Sequence, residues 1–237
     1  MFLSTKNLFK AAMALSPLLL AFAIYSYDIN KKSVVVAPTV VIEEKLPEET
    51  LAEVTIWMMN TPKCTGSKNN GLSEVKKAML SRQIDRILGS IGGDRRTQEA
   101  FIFLMCQESQ YRTNLTSTAG AKGIAQMMPA TAQAEADNLK MGKLTSDDLF
   151  DSEINILLGY THFKGLAATY NGNLAKASAA YNGGSNGSTL KAMKNNSGVG
   201  AQETDAYVRS MFDMQEEHRI AKLEKIKEET TQAKSSN

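Results

Sequence analysis

Residues 98–109 read Gln-Glu-Ala-Phe-Ile-Phe-Leu-Met-Cys-Gln-Glu-Ser, an apolar segment with a carboxylate close to its end. Phe101, Leu104, Met105 and Glu108 are spaced at i, i+3, i+4 and i+7, which predicts a helix with all four on its buried face. Burial without a cationic partner favours the neutral acid, and a carboxyl that keeps its proton near neutral pH can act as a general acid. Glu108 is therefore a candidate catalytic residue, and a helix end whose glutamate faces solvent is the alternative.

The segments before this helix are also helical in pattern. A short helix is expected from Glu49 to Met59. From Leu72 to Ile91 apolar residues recur at helical spacing, and the expected buried side consists of Val75, Met79, Ile84, Ile87, Leu88 and Ile91. Gly92-Gly93 ends that helix. Asp94 is then placed to cap the next one, since its side chain can accept hydrogen bonds from the first free backbone N–H groups.

The composition indicates a globular domain with appendages. The chain has 237 residues, of which 43% are hydrophobic and 22% charged, and its net charge is +2. The basic residues are interspersed with acidic ones, so no nucleic acid partner is expected. A mildly basic protein is not repelled by an anionic cell-wall polymer.

The N-terminus has the layout of an export signal. Lys6 and Lys10 precede an uncharged run from Ala11 to Tyr27. Ala21-Phe22-Ala23 has the form of a cleavage site, and an uncleaved anchor in the inner membrane is the alternative. Both interpretations place the protein in the periplasm or cell envelope.

The remaining chain divides into three parts. Residues 28–71 are expected to form a tether, interrupted by the short helix and by a loop that contains Cys64. Residues 72–214 form the expected domain, and residues 215–237 form a charged, solvated helical tail.

Cys64 and Cys106 are the two cysteines of the chain. In an exported protein they can form a disulfide, and two separate buried thiols are the alternative. Together with His162 and His218 they show no metal-ligand spacing, so neither a metal nor another cofactor is expected.

Several short sequence motifs follow one another between about Arg95 and Arg219. The segments are Glu108-Ser109, Ser117-Thr-Ala-Gly-Ala-Lys-Gly-Ile-Ala-Gln126-Met-Met128-Pro-Ala-Thr-Ala132, Leu149-Phe-Asp-Ser-Glu-Ile-Asn-Ile-Leu-Leu-Gly159, Ala179-Ala-Tyr181-Asn182-Gly-Gly184 and Glu203-Thr-Asp-Ala-Tyr207-Val208. In this order they resemble the soluble lytic transglycosylase family, a branch of the lysozyme-like superfamily. The resemblance implies a mainly α, lysozyme-like domain with a catalytic cleft.

The resemblance also implies an activity on the glycan strands of peptidoglycan. In this reading Glu108 protonates the β-1,4 glycosidic oxygen between N-acetylmuramic acid and N-acetylglucosamine. The same carboxylate then takes the proton of the muramic C6 hydroxyl, and a 1,6-anhydro sugar forms without water or a cofactor.

Further site residues follow from the same resemblance. Tyr181 is expected to donate a hydrogen bond near the carboxyl of Glu108. Ser117, Gln126 and Met128 match positions that line the sugar subsites, and the expected binding set also includes Asn182 and Tyr207. Gln126 is expected to face the cleft, where its amide can both donate and accept.

Two other functions remain open. A hydrolytic lysozyme would need a second acid such as Asp147, Asp148 or Asp151, although these residues precede a helix, where acidic side chains commonly serve as caps. A non-catalytic wall-binding module would keep the groove without needing the acid. The setting also stays open among wall turnover, a secretion or conjugation apparatus, and a phage particle.

Overall fold

The computed structural model describes residues 49–65, 72–184, 187–188, 191–192 and 202–235. The predicted export segment at 1–27, and residues 28–48 and 66–71 of the predicted tether, lie outside these ranges. Across the described ranges, no helix has both the length and the apolar character needed to cross a membrane.

The described residues are mainly α-helical, as predicted. In chain order the helices are α1 (Leu51–Met59), α2 (Pro62–Thr65), α3 (Glu74–Ile91), α4 (Arg95–Ser109), α5 (Pro129–Asn138), a 3-10 helix (Ser146–Phe150), α6 (Ser152–Thr169), α7 (Leu174–Gly183) and α8 (Gln202–Ser235). Capping side chains fix several starts. The prediction for Asp94 is confirmed, because its carboxylate accepts from the backbone N–H of Thr97.

Helix α4 lies at the centre of the domain, in contact with α1, α6, α7 and α8. Every residue from Ala100 to Cys106 is buried, so apolar neighbours surround this helix on all sides. The predicted buried face is correct but too narrow. Because the middle of α4 is enclosed on all sides, the position of its last turn is closely fixed by packing.

The buried side of α3 is partly different from the predicted one. Ile84 is buried as expected, but Val75 and Met79 are 70% and 61% exposed. Lys77 takes the inner position instead. Its ammonium donates to Asn60 Oδ1 over 2.7 Å and pairs with the Glu74 carboxylate over 2.8 Å, while its aliphatic stem packs inward.

The domain extends beyond the boundaries expected from sequence. Helix α1, assigned to the tether, packs against α3 and α4. Helix α8 continues for 34 residues, past the expected domain end at residue 214. His218 is buried and packs its ring against Trp57 of α1, with 4.7 Å between ring centroids. His218 lies on the same helix face as Met214, four residues earlier. The sequence did not predict its burial because the residues around it are charged.

A disulfide joins α2 to α4. It links Cys64 and Cys106, whose Cα atoms are 5.2 Å apart, and both residues are buried. The bridge is attached two residues before Glu108.

Candidate active site

Glu108 lies in the last turn of α4, where the helix leaves the core. The side chain is partly buried, and burial raises the pKa of its carboxyl to about 7. A hydrogen bond from Tyr207 acts in the opposite direction and lowers this pKa in part. The carboxyl is thus able to hold a proton near neutral pH.

Tyr207 of α8 provides the phenol that contacts the acid. Its hydroxyl donates to Glu108 Oε1 over 2.7 Å. Burial and the charge of Glu108 raise the pKa of Tyr207 well above its ordinary value, so the hydroxyl remains a donor. This contact fixes the orientation of the carboxyl.

Tyr181 does not make the contact that the resemblance implied. Its hydroxyl donates to the carbonyl oxygen of Ala125 over 2.8 Å and also lies 3.2 Å from Met127 Sδ. Burial and the charge of Glu108 raise its pKa well above the ordinary value, so Tyr181 is close to the acid but is bonded to the loop beside it. The expectation for Tyr181 is therefore corrected, because α8 brings Tyr207 to the carboxyl instead.

The segment from Leu115 to Met128 forms an irregular loop beside Glu108. Isolated antiparallel bridges pair Thr116 with Lys122 and Lys122 with Met127. Ser117 closes the turn within this loop, since its Oγ accepts from the backbone N–H of Ala121 over 3.0 Å. Ser117 was expected at a sugar subsite, and its visible role is to shape the turn.

Gln126 is largely buried and has a positive φ of 49°. Its Nε2 donates to the carbonyl oxygens of Leu115 and Gly123, over 3.2 and 2.8 Å. Both N–H groups of the amide are thus used within the loop, and contact of Gln126 with a sugar stays a prediction that depends on the amide oxygen as the acceptor. Met128, at the N-cap of α5, is 43% exposed and open to a ligand.

Asn182 ends α7 near the site and is exposed. Its Oδ1 accepts a hydrogen bond from Thr204 Oγ1 over 2.9 Å. Thr204 is buried and precedes Tyr207 by one turn of α8. Asn182 thus ties the end of α7 to the helix that carries Tyr207.

Asn155 and Ser109 shape the site but were not predicted as site residues. Asn155 is fully buried in α6, and its amide bonds backbone groups of Lys122, Ala125 and Leu149. Ser109 donates to the carbonyl oxygen of Ile124 over 2.6 Å. Asn155 could have been noticed in the sequence, because it is a polar residue within the apolar run 154–158. Its loop partners could not be read from spacing.

The three acids weighed as second carboxylates are each bonded near the 3-10 helix or at the start of α6. Asp148 forms a capping box with Thr145, and Asp151 caps α6 through the N–H groups of its first turn. Asp147 pairs with Lys122 over 3.2 Å. In the part of the chain that the structure describes, no group of three or more His, Cys, Asp or Glu side chains could hold a metal ion.

Comparison with known proteins finds a family model that matches nearly half of the chain. Residues 93–205 match the family model described as the transglycosylase SLT domain. A relative from Haemophilus influenzae, named "Putative soluble lytic murein transglycosylase", is 39% identical over 80 residues, which are 34% of this chain and 14% of the relative. The chain therefore spans a small part of that protein's length.

Solved structures give a second comparison. The 70 kDa soluble lytic transglycosylase from Escherichia coli is 20% identical with a TM-score of 0.50, over 69% of this chain and 28% of that chain. An inactive mutant of the lytic transglycosylase Slt from Pseudomonas aeruginosa is 22% identical with a TM-score of 0.47, over 56% of this chain and 22% of that chain. The first of these similarities indicates a shared fold.

Proposed function

Because residues 93–205 match the family model described as the transglycosylase SLT domain, we propose that the protein is a peptidoglycan lytic transglycosylase. Its substrate would be the β-1,4 bond between N-acetylmuramic acid and N-acetylglucosamine. The observation that carries the proposal is the state of Glu108, whose pKa is raised to about 7 by burial and whose carboxyl is oriented by Tyr207. A positioned carboxyl that titrates near neutral pH suits a general acid that must later act as a base.

In the first half of the reaction, protonated Glu108 gives its proton to the glycosidic oxygen. The bond between C1 of the muramic sugar and that oxygen breaks, and positive charge develops at C1. The N-acetyl group of the same sugar supports this centre. Tyr207 continues to donate to the carboxylate that Glu108 has become, and so stabilises its new charge.

In the second half, the Glu108 carboxylate takes the proton of the C6 hydroxyl. The C6 oxygen bonds to C1, which gives a 1,6-anhydro sugar and returns Glu108 to its protonated form. One carboxyl group therefore gives a proton in the first half and regains one in the second. Ordinary glycosidases use two carboxylates, and the local bonds of Asp147, Asp148 and Asp151 favour the reaction that needs one.

Mass spectrometry of products from purified sacculi tests this proposal. We expect muropeptides that end in 1,6-anhydro-muramic acid. Products heavier by one water, with a reducing-end muramic acid, would identify a hydrolytic lysozyme instead. Binding to sacculi without any released product would identify a non-catalytic module.

We propose in addition that residues 1–27 direct export and that residues 28–48 link them to the helical domain, so that the enzyme acts in the periplasm or cell envelope. The short basic segment with Lys6 and Lys10, followed by the uncharged run from Ala11 to Tyr27, supports this part of the proposal. Fractionation of cells that produce the full chain, with a protease-accessibility assay on spheroplasts, tests it. Protein found in the cytoplasm would contradict it.

A further inference from the structure

The peptide groups on both sides of Ala125 are held by side chains of two different helices. The N–H of Ala125 donates to Asn155 Oδ1 of α6 over 2.8 Å. The carbonyl oxygen of Ala125 accepts from the Tyr181 hydroxyl of α7, also over 2.8 Å. Both backbone polar groups of this irregular loop residue are thus paired, as they would be within a helix.

Asn155 is itself fixed by further bonds. Its Nδ2 donates to the carbonyl oxygens of Lys122 and Leu149, each over 2.9 Å, and the residue is fully buried. A buried amide with both N–H donors engaged has little freedom to rotate. The acceptor that it presents to Ala125 is therefore held in one position.

Packing closes the space beneath Ala125. A Cβ atom added to Gly159 of α6 would lie 2.7 Å from the Ala125 Cβ and 3.4 Å from the Tyr181 hydroxyl oxygen. The glycine thus leaves only enough room for the alanine methyl group. The loop cannot move toward α6 without a clash.

The loop is also tied to the helix that carries the acid. Ser109, the residue after Glu108, donates to the carbonyl oxygen of Ile124 over 2.6 Å. The distance between the acid and the segment that runs from Ala125 to Met128 is therefore set by bonds from α4, α6 and α7. Among the predicted subsite residues Ser117, Gln126 and Met128, it is Met128, at the end of that segment, whose side chain is exposed.

From these contacts we propose that Tyr181 and Asn155 are positioning residues, which act through the backbone of Ala125 on the saccharide-binding loop. They hold this loop at the distance from Glu108 that the bound glycan requires, and Tyr181 does not tune the acid. The inference rests on the proposed function. A displacement of about 1 Å in such a supporting element can reduce turnover by roughly 10²-fold.

The test compares Tyr181→Phe with Tyr207→Phe in the full chain. For Tyr181→Phe we expect kcat/KM on soluble glycan strands to decrease at least ~10-fold. The pH at which activity is lost on the alkaline side should stay the same as in the wild type. In a Glu108→Gln background, the same change should weaken binding of a chitin oligosaccharide by a similar factor. Tyr207→Phe should instead move the pH profile, because that hydroxyl bonds the acid directly.

Two results would overturn the inference: a pH profile of Tyr181→Phe that moves as that of Tyr207→Phe does, or unchanged kcat/KM and oligosaccharide binding. Wild-type cleavage is measured first, since an inactive wild type would contradict the proposed function and not the positioning role. Hydrogen exchange over residues 123–128 needs no activity, and it should be faster in Tyr181→Phe than in the wild type.

Gly159→Ala provides a second variant that leaves every hydrogen bond donor in place. Its Cβ would lie 2.7 Å from the Ala125 Cβ and so push Ala125 away from α6, which predicts the same loss of oligosaccharide binding without a pH shift. Gly165→Ala is the matched control in α6, since a Cβ there meets nothing within 4 Å. Equal binding by the two glycine variants would count against the positioning role of this loop.

Discussion

The hydroxyl of Tyr207 donates to Oε1 of Glu108 over 2.7 Å, so a residue of α8 orients the acid carried by α4. This bond favours the charged carboxylate and lowers the pKa that burial raises to about 7. The pKa of the acid therefore depends on two helices that are distant in the sequence.

Replacement of Tyr207 by Phe should raise the pKa of Glu108 further, because the lowering bond is lost while burial remains. The protonated acid is then kept to higher pH, so the fall of kcat/KM with rising pH should move upward from about 7. Turnover at the optimum should also decrease, since the carboxyl is no longer oriented. A pH-rate profile on purified sacculi measures both effects, and a fall that moves to lower pH would contradict the prediction.

Glu108→Gln should abolish most turnover while it stabilises the fold at high pH. Loss of the transferable proton is expected to reduce turnover at least ~10²-fold. The folded pKa is raised from 4.5 to about 7, so the wild type loses stability as the pH rises through this interval. At pH 8 the variant should therefore be more stable by on the order of 1–3 kcal/mol, and near pH 4 the two proteins should be alike.

Urea unfolding at pH 8 and pH 4 measures this difference. A variant that unfolds at lower urea than the wild type at pH 8 would show that the Glu108 charge supports the fold. In that case Glu108 would be a structural residue and its assignment as the acid would be wrong.

The disulfide between Cys64 and Cys106 should contribute about 2–4 kcal/mol to stability, the usual range for a bridge of this kind. Replacement of both cysteines by serine should lower the urea midpoint accordingly. Wild-type protein unfolded in the presence of a reductant should match the double variant, and the double variant should not respond to the reductant. A midpoint of the wild type that the reductant leaves unchanged would contradict this contribution.

The helices of this domain were largely predictable from sequence, because periodicity and capping are local. Asp94 illustrates this, since its side chain and the backbone that it caps are three residues apart. The exposed Val75 and Met79 were not predictable in the same way. Which face of α3 is buried depends on how α1 packs against it, and that contact is not encoded in the local pattern of α3.

The partners within the site were less predictable for a physical reason. The motifs placed Tyr181 and Tyr207 near Glu108, but spacing alone does not say which phenol reaches the carboxyl. That choice depends on how α7 and α8 pack against α4. Likewise Asn155 bonds a loop whose residues precede it by about thirty positions, a distance that no local pattern covers.

His218 should make the protein less stable on mild acidification. Its pKa is lowered, mainly by burial; the nearby carboxylates of Glu49 and Glu99 act against this, and the cations of Lys222 and Arg95 add to it. Below about pH 6.5 the unfolded chain takes up a proton that the native imidazole resists, so stability falls until the lowered pKa is reached. The native state is thus favoured with a neutral His218.

A His218→Phe variant tests this effect, because a phenyl ring can keep the ring contacts with Trp57 and Phe103. Between pH 6.5 and 5 it should lose less free energy of unfolding than the wild type does. The opposite contribution of Glu108 is present in both proteins and cancels in the comparison. Parallel losses in the two proteins would exclude His218 as the source of the acid sensitivity.

Gly123 and Gly120 form a matched pair in the loop beside the acid. Both have positive φ, of +79° and +88°, so alanine at either position meets the same backbone cost of about 1 kcal/mol. A Cβ at Gly120 meets nothing within 4 Å, whereas one at Gly123 collides with the Leu149 carbonyl oxygen and the Asn155 amide.

Gly120→Ala should therefore destabilise the protein by about 1 kcal/mol and retain most activity. Gly123→Ala should cost a further ~1–3 kcal/mol and lose activity, because the amide that it displaces also holds Ala125. Chemical unfolding and sacculus digestion measure the two effects on each variant. Equal stabilities would mean that the Leu149 carbonyl and the Asn155 amide both shift at little cost in free energy, and would contradict the close packing inferred beneath this loop.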